Sequence, residues 1–125
     1  MDIGGFDIEF PITVTREVLR FIFRLVDAIW TEAVYVTDVS GIRAINDLVR
    51  VSRDPPVEVF LFKNRGAAES WKKLGADSGN HDSMIYLIAE KDRLTFVVDD
   101  AECNTAKLVA EVTKALSNQP TFFGP

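Results

Sequence analysis

Residues 57–63, Val-Glu-Val-Phe-Leu-Phe-Lys, are nearly continuous in apolar side chains. Successive side chains of a strand point to opposite faces, so a run of this kind buries both faces and predicts a central strand in a sheet covered on each side. That cover has to come from elements before and after it.

Upstream, Phe6, Ile8, Phe10, Ile12 and Val14 alternate with Asp7, Glu9, Pro11 and Thr13, the pattern of a strand with one buried face. Pro11 donates no ladder bond, which puts this strand at an edge or beside a bulge. Thr15 is placed to cap a helix over residues 16–30. There Val18, Ile22, Leu25 and Ile29 form one apolar row and Leu19, Phe23, Val26 and Trp30 another, with Phe21 and Ala28 widening the stripe. Polar residues are confined to a seam of Glu17, Arg20, Arg24 and Asp27, spaced for Glu17 to Arg20 and Arg24 to Asp27 pairs. A helix this apolar must be covered on more than one side, by the rest of the chain or by a second subunit.

A second strand is expected over residues 32–37, a turn over 38–41 and a helix over 42–51 with Ile42, Ile45, Leu48 and Val49 inward. After the central strand, Asn64 can cap a helix carrying Ala67, Ala68, Trp71 and Leu74, closed by Gly75. A polar loop over 76–83 leads to a strand at 84–89. Lys91 and Asp92 then turn the chain into a strand at 94–98, the clearest hairpin in the sequence. Asp100 heads a last amphipathic helix with Leu108, Val109, Val112 and Leu116 on one face, and Pro120 stops it.

The expected order is β-α-β-α-β-α-β-β-α, an α/β (mixed α+β) domain with a five-stranded mixed sheet flanked by helices. Helical crossovers between the early strands favour parallel neighbours, and the terminal hairpin is antiparallel. In element order the string resembles the thioredoxin fold over nearly the whole chain. That family's redox dicysteine would fall near Ser40, Gly41, Ile42 and Arg43, and its proline near Ser83, and neither is present. With one cysteine, Cys103, dithiol chemistry is excluded, so the resemblance implies at most a redox-inactive adaptor. Another α+β strand order stays open.

A length of 125 residues matches one globular domain, residues 1–125. An acidic start without an apolar segment does not resemble a secretory leader, and the most apolar window is broken by charges and too short to span a bilayer. Together with a single cysteine this points to the cytoplasm. A net charge of −5 argues against nucleic-acid and anionic-membrane partners. The charge is uneven, however: residues 41–75 carry seven cations against four acids, leaving the remainder at −8. Such asymmetry can mark a site for an anion or an acidic partner.

The best chemical candidate is the junction of Lys63, Asn64, Arg65 and Gly66, where free N–H groups, a helix dipole and two cations could meet an anion beyond a strand end. A capping asparagine followed by surface cations has the same sequence. Asp99 and Asp100, with Glu102, offer carboxylates at another strand end, although adjacent strand residues point to opposite faces and acids also favour a helix start. Residues 77–82, holding His81, lack the spacing of a calcium loop or a zinc site, and no metal or cofactor is expected. Cys103 is expected to be buried and inert, and Trp30, Trp71, Phe60 and Phe62 to be core. Phe21, Phe122 and Phe123 are the candidates for a subunit or partner interface.

No nucleophile, base and orienting group can be assembled from this set, so the leading expectation is a non-enzymatic interaction or regulatory domain, a homodimer or the binder of a protein partner. The rival is a small-molecule or enzyme site at Lys63, Asn64, Arg65, Gly66, Asp99 and Asp100.

Overall fold

The structure, a computed structural model, describes residues 6–37, 41–74, 84–98 and 104–118. Among them, β1 (Phe6–Phe10), α1 (Arg16–Ile29), β2 (Val34–Val36), β3 (Arg43–Ala44), α2 (Ile45–Val51), β4 (Val57–Phe62), α3 (Arg65–Leu74), β5 (Met84–Glu90), β6 (Arg93–Val98) and α4 (Asn104–Ser117) follow in chain order. The strands form one sheet in the order β1-β6-β5-β4-β2-β3. Every ladder in it is antiparallel.

The expected sheet of five strands, part parallel, is therefore corrected to six antiparallel strands. The sixth is β3. Arg43 and Ala44 keep extended backbone and pair with Tyr35 and Val34, so the expected helix at residue 42 begins only at Ile45. Parallel pairing fails because the crossing helices join strands that are not neighbours: α1 carries the chain from β1 past three strands to β2, and α2 carries it from β3 past β2 to β4. Met84 opens β5 opposite Phe62, the last residue of β4, so α3 is an excursion that leaves and returns at the same end of two neighbouring strands. The thioredoxin-like order is not supported either. It needs the first strand beside residues 57–63, whereas β1 lies at the sheet edge against β6.

β1 ends at Phe10 because Pro11 has no N–H to donate. Ile12 and Val14 beyond it remain buried, and the Val14 N–H is bonded to the Lys91 carbonyl at the tip of the β5–β6 hairpin, 2.8 Å away. The Thr15 hydroxyl accepts from the Val18 N–H at 3.2 Å, capping α1 as its sequence predicts. Glu17 to Arg20 and Arg24 to Asp27 do not pair; instead Arg16 reaches Asp54 at 3.7 Å.

Period-two alternation divides the sheet side chains between two layers. Val59, Leu61, Ile85, Leu87, Leu94 and Phe96 join the main core beneath α1, α2 and α4. That core covers the middle of the apolar stripe of α1, where Val18, Leu19, Ile22, Phe23 and Val26 are buried, while Phe21 and Leu25 are half-buried and Ile29 is 43% exposed. On the other face α3 sets Ala68 and Trp71 against Val34, Val36 and Phe62, a smaller cluster. The Trp71 ring lies 4.7 Å from Phe60 and 5.5 Å from Phe62, between centroids. β4 is thus covered on both faces, as its composition requires.

Candidate functional site

β2 has three residues and β4 six, and their ladder takes in only Phe60, Leu61 and Phe62 of β4. Residues 57–59 pair with β5 on one side and with no described strand on the other. A cleft of about 900 Å³ opens beside this part of β4. Its floor is apolar, made by Leu19 and Phe23 of α1 and Leu48 of α2. Val51, at the end of α2, stands on its wall 59% exposed, the most exposed large apolar side chain among the described residues. Both sheet faces reach the cleft: Val57 from the helix-covered side, and Glu58, Phe60 and Tyr86 from the other.

Tyr35, Thr37, Ser52 and Tyr86 bring hydroxyls to the cleft, and of its three charged residues two are cationic. Arg43 of β3 and Arg53 of the α2–β4 connection line the cleft and are exposed. Neither makes an ion pair with a described residue, whereas nearby Arg50 bonds Asp47 at 2.9 Å. The one carboxylate, Glu58, is already engaged: its Oε1 accepts from the Tyr86 hydroxyl at 2.6 Å. Tyr86 stacks on Phe60 with centroids 4.5 Å apart, which holds its hydroxyl in place. That hydrogen bond first, then burial and the charge of Glu58, raises the Tyr86 phenol above its ordinary value. The Tyr35 phenol, also lining the cleft, is raised by burial, against an opposing pull from Arg43. Both phenols are accordingly protonated donors at neutral pH.

A basin with an apolar floor, lined by two guanidinium groups that no described carboxylate pairs, suits a molecule with an apolar body and an anionic head. Chemistry on that molecule is less well provided for. Among the described residues, no His, Cys, Lys or Asp lines the cleft, and the Ser52 hydroxyl donates to the Leu48 carbonyl at 2.9 Å.

The described residues singled out by sequence lie elsewhere. Lys63, Asn64, Arg65 and Gly66 do form the junction from β4 to α3, and none of them lines the cleft. Asn64 caps α3, its Oδ1 accepting from the Ala67 N–H at 2.8 Å. Arg65 borders a separate hollow of about 320 Å³ together with Asp27 and Glu32, acidic company that counters its charge toward an anion. Phe21 is half-buried against the main core. Asp99, Asp100, Glu102, His81, Cys103, Phe122 and Phe123 lie outside the described residues. Among the described residues, no cluster of three or more His, Cys, Asp or Glu is placed to hold a metal, and no helix is long and apolar enough to cross a membrane.

Arg43 and Arg53 were missed as individuals. The signal that contained them was the cationic balance of residues 41–75, to which both belong. Compared with protein-family models, curated proteins and solved structures, the chain matches none of them.

Proposed function

We propose that this chain is a non-enzymatic binding domain that takes a small amphipathic anion in the cleft beside β4. The observation that carries the reading is the pairing of an apolar floor with two guanidinium groups that no described carboxylate neutralises. Arg43 and Arg53 hold the carboxylate, phosphate or sulfonate head, with the Tyr35 phenol as a further donor. The tail lies over Leu19, Phe23 and Leu48 and covers Val51. A volume of about 900 Å³ matches pockets that enclose ligands of drug or lipid-chain size.

Dodecanoate, held below its micelle concentration and titrated by calorimetry, tests this. One-to-one binding is expected, with dodecyltrimethylammonium, of equal tail length and opposite charge, binding at least tenfold more weakly. Changing Arg43→Gln and Arg53→Gln together is expected to remove about tenfold in affinity, or about 1.4 kcal/mol. Equal binding of the cation, or an unchanged affinity in the double variant, refutes the assignment.

A further inference from the structure

The sheet face that carries α3 is covered over only part of its width. α3 packs on β2 and β4, and its hydrophobic cluster reaches Met84 at the start of β5 but takes in no other described side chain of β5, β6 or β1. The side chains that β5 and β6 present there include Tyr86, Ile88, Thr95 and Val97, all half-buried, and Ile88 and Val97 belong to neither hydrophobic cluster. The registers show how this strip is bordered. Val97 stands opposite Asp7 and Thr95 opposite Glu9 on the β1 side, while Ile88 stands opposite Glu58 on the β4 side, and Glu90 closes one end. The strip thus has Ile88 and Val97 at its centre, two carboxylates along the β1 edge and one, Glu58, on the β4 edge. Its one cation, Arg93, is held by Glu90 at 2.6 Å.

We propose that this strip docks a basic amphipathic helix of another protein. The dimensions fit one helix. Three strands spaced about 4.8 Å apart give a width of about 14 Å, against about 10 to 12 Å for a helix with its side chains. Residues 86–90 of β5 run about 17 Å, the length of about eleven helical residues, which a sixteen-residue helix spans with a turn to spare. Charge chooses the occupant. Asp7, Glu9, Glu58 and Glu90 outnumber Arg93, so a second copy of the same face would bring carboxylates against carboxylates, in a chain already at −5. A helix with an apolar stripe and lysine or arginine on both flanks satisfies the centre and both edges together. The strip shares Tyr86 and Glu58 with the cleft, whereas Ile88 and Val97 at its centre and Asp7 and Glu9 on its β1 border do not line it.

The test is a titration of the ¹⁵N-labelled full chain with a sixteen-residue Lys/Leu peptide, its leucines spaced i, i+3, i+4 and i+7, at low salt. Amide shifts are expected to concentrate at Ile88, Thr95, Val97 and Glu9. Ile88→Lys is expected to weaken binding at least tenfold. Asp7→Lys with Glu9→Lys, at exposed positions of the edge strand where folding is not at issue, is expected to do so about tenfold. Circular dichroism of each variant separates lost binding from lost fold. The inference is overturned if the shifts fall elsewhere or are absent, or if a Glu/Leu peptide binds equally. It is also overturned if a peptide keeping every lysine but with serine for leucine binds as well, since charge alone would then explain the contact. A dimer by light scattering whose contact maps to this strip would assign it to a second copy, and overturns it too.

Discussion

Leu87 and Ile88 are neighbours on β5 whose side chains leave the sheet on opposite faces, and truncating each to alanine measures what covers those faces. Leu87 is 0% exposed and belongs to the main core beneath the helices. Replacing it by alanine removes three carbons from a closed environment, a transfer loss of about 2.4 kcal/mol at about 0.8 kcal/mol per carbon. The cavity left behind raises the cost to about 3 to 4 kcal/mol. Ile88 loses the same number of carbons from a half-buried position outside both hydrophobic clusters. Water fills the space, no cavity term arises, and partial burial holds the expected cost to about 1 to 1.5 kcal/mol, which includes some loss of strand preference. Urea unfolding followed by circular dichroism reads both values, provided the slope against denaturant is unchanged. Equal costs at the two positions would mean that the second face is packed as tightly as the first. That result would refute the open strip and remove the basis for a docking helix.

Tyr86→Phe deletes an exposed hydrogen bond to Glu58 and is expected to cost less than about 1 kcal/mol at pH 7. The folded phenol is raised above its ordinary value near 10, so this stabilisation is fully present below pH 10 and fades as pH climbs through the raised value. Wild type and variant therefore converge at high pH in unfolding titrations, and a gap that widens there contradicts the assignment. Thr15→Ala and Asn64→Ala each remove a helix cap and are expected to cost about 1 kcal/mol in the same assay, with dodecanoate affinity unchanged in both. Val51→Ser is expected to alter stability by less than about 0.5 kcal/mol, because the side chain is 59% exposed. It is nevertheless expected to weaken dodecanoate severalfold in calorimetry; unchanged affinity would remove Val51 from the ligand's contact surface.

The elements that the sequence determined by itself are those whose pattern is local. The apolar run of β4, the two rows of α1 behind Thr15, the Lys91 and Asp92 turn, and the Leu108, Val109, Val112 and Leu116 face of α4 all follow from side-chain periodicity and capping within a few residues. Cover on both faces of β4 was equally legible, because a strand apolar on both sides has no other stable placement. Direction and order were not. Whether two strands run parallel depends on where the intervening chain returns, and Phe62 opposite Met84 is a contact between distant segments that no local pattern encodes. β3 was missed for the same reason: Arg43 and Ala44 have little strand preference and are extended because Tyr35 and Val34 pair with them. The candidate site was legible only as charge, in the cationic excess of residues 41–75. Tertiary structure decided that Arg43 and Arg53, and not Lys63 and Arg65, line an apolar basin, because the β2 ladder ends at Val36 opposite Phe60 and the cleft lies beside residues 57–58.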